Sequence, residues 1–286
     1  MTQVLISSSI RHKMPICTIH LLSLSVSLPS FFAILSSTPL QPLTIARVLR
    51  WIILPTSLST SPLLARNIHW DILLILPSPV PLPQPLQAAI QHHWSIQAGV
   101  PARLLKHYDA KNQRLLTPEK GDVPPLTGSL EKGPLMSESS QGLELSPELL
   151  RWIEGAPEGR DAVSMLNLLS FLPGKKEEYF KYGQAFADGA GSRRGGNAKI
   201  VGSVIHPERS AGEESVVSGN ERDTEPWDEV ALAHYPSLWH FADMLASADY
   251  QAANQRWRVG SLRDTLILCT SEVALLDWRE KGGAKL

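Results

Sequence analysis

The sequence predicts an α+β fold made of two successive βαββαβ units. Three observations carry this prediction. The periodic segments of the second half follow the order strand, helix, strand, strand, helix, strand, and the same order can be laid over the first half. A stretch of about 40 residues rich in Gly, Pro, Ser and Glu separates the two, and such a length is normal only between domains.

The second half gives the clearer pattern. Its helix after the first strand has Tyr179, Phe180 and Phe186 at positions predicted to be buried, and Ser237 is placed to cap the next helix. A short helix is predicted at 250–259. The predicted strands are Ala162–Phe171, Ala198–Ile205, Trp227–Tyr235 and Asp264–Val273, with a helix at Lys176–Asp188 and a polar loop at Glu208–Glu225.

The first half repeats this order with shorter elements. Its predicted strands are Ile16–Leu24, Ala46–Leu54, Trp70–Leu76 and Val100–Tyr108, and its predicted helices are Pro29–Leu35 and Leu86–Trp94. Proline ends the second and third strands, since it cannot donate to a sheet hydrogen bond.

The two halves can be aligned segment by segment, with an offset that grows from 147 to 157 residues. The matched pairs are Ile19–Leu24 with Leu166–Phe171, Ala46–Pro55 with Ala198–Pro207, and Trp70-Asp71 with Trp227-Asp228. One βαββαβ unit has helices on one face of its sheet only, so its other face needs a second sheet. Two copies in one chain would therefore pack together as a barrel-like sandwich.

This organisation divides the chain into five parts. We expect an unstructured leader at 1–13, an N-terminal unit at 14–116, a linker at 117–160, a C-terminal unit at 161–276 and a tail at 277–286. Within the linker, Ser146 and Pro147 are typical of a helix start. The basic residues before Met14 outline a signal peptide, but prolines interrupt the uncharged run that follows.

Composition indicates an ordinary globular protein of 286 residues, with 43% hydrophobic and 19% charged residues. The net charge of −1 hides an asymmetry, +7 in residues 1–115 and −8 in the rest, which is typical of two surfaces that attract each other. The basic residues are scattered, so we expect no nucleic-acid partner. No apolar run is long enough for a membrane span, and two isolated cysteines favour a reducing, cytoplasmic location.

Motifs of high catalytic specificity are absent from the sequence. It contains no HExxH, no serine nucleophile elbow and no Cys/His metal spacing, so we expect no metal site. Gly195-Gly196 follows two arginines but lacks the spacing of a phosphate loop, and a turn with positive φ accounts for it better. His92-His93 is predicted to be a surface pair on a helix.

The second half nevertheless resembles the dimeric α+β barrel superfamily, and most of all its EthD-like and stress-responsive branch. The resemblance covers about residues 161–275, and the first half shares it only through the repeat. It is carried by Met165–Leu169, Tyr179, Tyr182, Gly195-Gly196, Trp227-Asp228, Tyr235–Ser237, Ser247, Tyr250 and Arg256.

The resemblance implies two ferredoxin-like units packed as a pseudo-dimeric α+β barrel, with a pocket between sheet and helices. It further implies a small apolar or aromatic ligand, bound by a cofactor-independent monooxygenase, decarboxylase or cyclase or by a protein without activity. The alternative is a non-catalytic structural or interaction protein whose barrel is filled by side chains. Either would be a monomeric pseudo-dimer or a homodimer.

His234 and Asp228 are the candidate catalytic residues. His234 shares a strand face with Leu232 and Val230, and on a pocket wall its imidazole would exchange a proton near neutral pH. Asp228 would orient His206 or His234, or pair with an arginine. We expect no cofactor; the alternative, haem held by His206 or His234, would give a Soret band.

Four further residues are candidates for ligand binding. Asn167 alternates with Met165 and Leu169 and would hydrogen-bond a ligand carbonyl. Tyr235, Tyr250 and Arg256 enter through the family pattern, in which packing and ion pairing are the competing roles of Tyr250 and Arg256.

Overall fold

The computed structural model describes residues 14–132, 142–206 and 226–276. The predicted leader, the loop at Glu208–Glu225 and the tail at 277–286 lie outside these ranges. Among the described residues, no helix combines the length and the apolar composition that crossing a bilayer needs.

The described residues form an α+β fold around one closed antiparallel barrel of eight strands. Most of the predicted strands agree with the observed ones to within two residues. The strands are β1 Ile16–Leu24, β2 Thr44–Ile53, β3 Ile72–Leu76, β4 Ile90–Gly99, β5 Val163–Phe171, β6 Asn197–Val204, β7 Glu229–Tyr235 and β8 Leu262–Ser271.

The strand order around the barrel is β1-β3-β2-β8-β5-β7-β6-β4, closed by β4 on β1. Within each half of the chain, the fourth strand lies beside the first, then come the third and the second. Two seams join the halves. The seam of β2 with β8 runs from Arg47 opposite Ser271 to Ile53 opposite Ile267. The seam of β4 with β6 is shorter: Ala98 and Gly99 lie opposite Val204 and Ser203, and Ile205 donates to the carbonyl of Gln97.

Nine helices of the described chain lie outside the barrel or at its ends. Ser146 and Ser237 each accept a backbone hydrogen bond in the first turn of the helix that follows, so these two predicted caps are confirmed, and Ser27 caps the first helix in the same way. The helices are α1 Leu28–Ser36, α2 Thr60–Leu64, α3 Gln84–Ala88, α4 Ala102–Leu105, α5 Tyr108–Leu116, α6 Pro147–Gly155, α7 Lys176–Ala185, α8 Leu238–Leu245 and α9 Ala248–Ala253.

Alternation along the strands sorts the apolar side chains into three cores. Residues such as Ile19, Leu166 and Leu232 fill the inside of the barrel, to which both halves contribute. The outer face of the first half packs on α1 and α3 through residues such as Phe31. The outer face of the second half packs on α6, α7, α8 and α9, and this layer holds the candidate site.

Two predicted elements of the first half are wrong. The helix predicted at Leu86–Trp94 is the short α3 followed by β4, and the strand predicted at Val100–Tyr108 is α4 and the start of α5. Leu86, Ala89 and Ile90 have helical spacing, but from His92 onwards alternate side chains face the barrel interior. The barrel needs a fourth strand beside β1, so pairing overrides the local pattern.

Candidate functional site

A cavity of about 400 Å³ lies between the outer face of the second-half sheet and helices α7, α8 and α9. Met165, Asn167 and Leu169 of β5 form one side of its floor, and Ala231 and Ala233 of β7 form the next. The alanines leave room above the sheet because they carry no bulk beyond Cβ. A pocket between sheet and helices is therefore present, where the resemblance placed one.

Four tyrosines line the cavity, three from the helices opposite this floor and one from the sheet itself. They are Tyr179 and Tyr182 of α7, Tyr235 at the end of β7, and Tyr250 of α9. The hydroxyls of Tyr182 and Tyr250 share a hydrogen bond of 2.9 Å. Burial raises the pKa of all four phenols, so they are neutral hydrogen-bonding groups at physiological pH.

The buried guanidinium of Arg258 supports these tyrosines from the turn that follows α9. It donates a hydrogen bond to Tyr179 and counteracts the rise in the pKa values of Tyr182 and Tyr250. A fixed cation behind the phenol ring system makes this wall favourable for negative charge.

Glu229 is the acidic residue of the cavity wall, and its side chain points to the same face as Ala231, Ala233 and Tyr235. It is only 6% exposed. Burial raises its pKa to about 7, with Lys176 opposing the rise and Asp228 adding to it. Glu229 is not among the predicted site residues, although the alternation of 229, 231, 233 and 235 places it on this face.

Asn167 lies one strand away, opposite Ala231 in the pairing of β5 with β7. Its amide donates to the carbonyl of Met165 at 2.9 Å. Within the described ranges no hydrogen bond reaches its Oδ1, so this acceptor is available to a ligand. Asn167 and Glu229 are diagonal neighbours on the sheet, with Cα atoms about 7–8 Å apart by strand geometry.

His234 does not line the cavity, because it lies on the other face of β7. It is 1% exposed, and its neighbours at Val230 and Leu232 fill the barrel interior. Burial, and then the charge of Lys199, lower the pKa of His234 to about 3. His234 and Asn167 therefore do not share one pocket.

The positive charge of Lys199 near His234 belongs to a buried ionic cluster. Lys199 of β6 donates to Glu272 and, at 2.7 Å, to Asn112 of α5, and Asn112 donates to the second oxygen of Glu272 at 2.8 Å. The cluster ties α5, from the first half, to strands of the second. It is satisfied by its own members, so it explains burial of charge and not ligand binding.

Asp228 and Arg256 also lie away from the cavity. The carboxylate of Asp228 accepts the backbone N–H of Phe171 at 2.7 Å, instead of orienting a histidine. The guanidinium of Arg256 stacks over the ring of Trp257 at 5.0 Å and lines a separate groove beside Asp249. The structure therefore brings Asn167, Tyr235 and Tyr250 together and separates them from His234, Asp228 and Arg256.

Haem does not fit this arrangement. His234 is packed inside the barrel, and His206 is exposed beyond the end of β6. Neither imidazole reaches the cavity where an axial ligand would be needed.

The first half carries a polar groove of about 500 Å³ on the corresponding outer face, between β1, β4 and residues 79–82. Its buried His20 lies 2.8 Å from His93, measured between Nδ1 of the first and Nε2 of the second. Burial, and then His93, lowers the pKa of His20 to about 4. The prediction of His92-His93 as a helical surface pair is wrong, since β4 turns His93 toward His20.

Comparison with known proteins identifies no family for this chain. No family model matches the sequence, and no curated protein matches it. RPA0582, described as a protein of unknown function from Rhodopseudomonas palustris, is 22% identical over 44% of this chain and 93% of its own, with a TM-score of 0.33. The methylated form of RPA0582 is also 22% identical, over 45% of this chain and 93% of its own, with a TM-score of 0.35.

A "putative monooxygenase" from Lactobacillus acidophilus NCFM matches more of the chain at lower identity. It is 7% identical over 91% of this chain and 94% of its own, with a TM-score of 0.42. At these TM-scores neither protein carries an argument, and the α+β barrel rests on the strand pairing itself.

Proposed function

We propose that this chain binds a small aromatic molecule in the cavity between β5, β7 and helices α7, α8 and α9. The observation that carries the proposal is the cavity itself, with an apolar floor, aromatic walls and a few polar groups. Its volume of about 400 Å³ falls in the range of small-molecule sites in proteins.

The walls favour a ring over an aliphatic chain. Phe186 and Tyr235 meet edge to face with centroids 6.1 Å apart, and Tyr235 and Phe241 do so at 5.1 Å. Such rings present both faces and edges to a guest, and aromatic contacts add about 0.5–1.5 kcal/mol beyond area burial. The Oδ1 of Asn167 would accept a hydrogen bond from a polar substituent.

The architecture we propose is a pair of ferredoxin-like units packed as a pseudo-dimeric barrel. The strand order fourth, first, third, second in each half supports it. On this interpretation the two outer faces are equivalent places, and only the face of the second half carries an apolar, tyrosine-lined cavity.

A non-catalytic protein remains the second candidate, favoured by one observation. Side chains from both halves fill the barrel interior, which is what a purely structural barrel would show. The two candidates differ at the outer cavity, since a structural barrel has no need of it.

Thermal unfolding with a panel of small aromatic compounds tests the proposal. A bound compound raises the melting temperature, since it stabilises by RT ln(1 + [L]/Kd). Ala231→Leu fills the floor of the cavity and should abolish the shift. Ala88→Leu, on the exposed side of α3, is the matched control and should keep it. No shift with any compound, or an equal shift in Ala231→Leu, would contradict the proposal.

A further inference from the structure

We propose that Glu229 accepts the proton of a weakly acidic hydroxyl on the bound ring, so that the ligands of this cavity are phenols or enols. This inference rests on the proposed function and specifies the chemistry of the same site.

The carboxylate of Glu229 opens onto the cavity. Glu229 is 6% exposed on the cavity wall, and no hydrogen bond joins another described residue to its oxygens. A ligand O–H would give this carboxylate a hydrogen bond to a charged acceptor, which is stronger than a neutral one. The structure therefore holds a strong acceptor in a largely apolar cavity.

Charged and titratable groups surround the carboxylate of Glu229 on several sides. Lys176 of α7 lies at the rim, with its ammonium over the rings of Phe171 and Phe180 at 5.7 and 5.6 Å. Tyr179 faces the carboxyl from α7, Asp228 precedes it on the strand, and Arg103 lines the cavity from α4. None of these forms an ion pair with Glu229 in the described part of the chain. Burial therefore dominates the pKa of Glu229, and Lys176 only partly opposes the rise.

The proton affinity of Glu229 suits proton exchange near neutral pH. Burial raises the pKa of Glu229 to about 7, and a group that exchanges protons works best when its pKa is near the working pH. The rise from 4.5 to about 7 narrows the gap to an ordinary phenol, whose pKa is about 10, and matches Glu229 to more acidic phenols and enols.

The transfer conserves charge inside the cavity. The ligand O–H bond breaks, its proton binds a carboxylate oxygen of Glu229, and the negative charge moves to the ligand oxygen. The neutral carboxylic acid then donates a hydrogen bond back to that oxygen. In the Tyr182–Tyr250 pair, the hydroxyl that accepts keeps its own hydrogen, which is a further donor for an anion.

Binding of para-nitrophenol, compared with nitrobenzene, tests this inference, because the phenolate of the former absorbs visible light. In the wild-type protein we expect para-nitrophenol to bind more tightly near neutral pH. Glu229→Gln should reduce that preference roughly tenfold, the worth of a hydrogen bond to a charged group. Glu177→Gln, an exposed change on α7, should leave it unaltered.

Calorimetry of the wild-type protein alone provides a second measurement. In buffers of different ionisation heat, para-nitrophenol binding should release a proton below neutral pH and take one up above it, since the complex keeps one shared proton. Nitrobenzene should show neither effect. If nitrobenzene binds but the preference in Glu229→Gln is unchanged, or no proton is exchanged, the inference is wrong and the proposed function stands. If neither compound binds, the proposed function itself fails.

Discussion

Asp71 and Asp228 make the same three hydrogen bonds in the two halves of the chain. The carboxylate of Asp71 accepts the N–H of Leu24 at 2.8 Å, and that of Asp228 accepts the N–H of Phe171 at 2.7 Å. The backbone of each aspartate also donates to the first strand of its half and accepts from the second, through Leu22 and Val48 for Asp71 and through Leu169 and Val204 for Asp228. Each aspartate thus joins three neighbouring strands.

Because Asp71 and Asp228 make the same hydrogen bonds, we expect their removal to lower the free energy of unfolding by similar amounts. Asp71→Ala and Asp228→Ala should each lower the free energy of unfolding by about 2 kcal/mol, because each removes a hydrogen bond to a charged acceptor and leaves a strand N–H unsatisfied. Urea denaturation measures both. Asp161→Ala, an exposed change, is the control and should be near neutral. A large cost at one aspartate only would show that the two are not equivalent.

Glu229→Gln should change how stability depends on pH. The folded pKa of about 7 exceeds the ordinary 4.5, so the favourable contribution of Glu229 is complete below 4.5 and is lost as pH rises through about 7. Above that pH the variant should be the more stable protein, by on the order of 3 kcal/mol.

Unfolding of both proteins across this pH range measures the effect as a difference. The lowered pKa values of His20 and His234 destabilise both proteins equally as pH falls, so they cancel. A difference that stays constant with pH would contradict the raised pKa.

The Tyr182–Tyr250 hydrogen bond predicts a non-additive pair of substitutions. Tyr182→Phe or Tyr250→Phe alone leaves the other buried hydroxyl without its partner, and each should cost about 1–2 kcal/mol. The double variant removes both hydroxyls and should cost clearly less than the sum. A double-mutant cycle by urea denaturation measures the coupling, and additive costs would exclude it.

Asp243 joins Arg194 to the linker residues Thr127 and Ser129, and substitution of Asp243 should be costly. Arg194 Nε donates to Asp243 Oδ2 at 2.9 Å, and the same carboxylate accepts from the backbone of Thr127 and Ser129. Asp243→Ala should cost about 3–5 kcal/mol, since it leaves a buried guanidinium charge with much less compensation. Asp249→Ala removes the partly exposed partner of Arg194 and should cost less than about 1 kcal/mol.

Gly195 provides a test of backbone conformation. Its φ of +72° confirms the turn predicted from the sequence, and a Cβ there would lie 2.5 Å from Cγ of Pro236. Gly195→Ala should therefore lower the free energy of unfolding by more than about 1 kcal/mol. At Gly189 a Cβ would meet no atom within 4 Å, so Gly189→Ala should be neutral or stabilising. Equal effects of the two changes would contradict this account.

Local pattern was sufficient for much of the fold. The run at Ile16–Leu24, the capped helix after Ser237 and the Trp-Asp pairs could all be recognised because their signals lie within a few neighbouring residues. The apolar pattern of α7 was misleading, because it predicted that Phe180 is buried, whereas Phe180 is 48% exposed at the cavity rim. The helix rotates about its axis to place Tyr179 and Tyr182 on the sheet, and a sequence period does not specify that rotation.

The sequence by itself determined the alternation along β7, with Glu229, Ala231, Ala233 and Tyr235 on one face and His234 on the other. Only the tertiary structure decided which face lines a cavity. The reason is that both faces of this sheet are buried, one in the barrel and one under helices, so the sequence shows mostly apolar residues on both faces. Closure of the barrel over His234 leaves the cavity in the layer beneath α7, where Glu229 lines it.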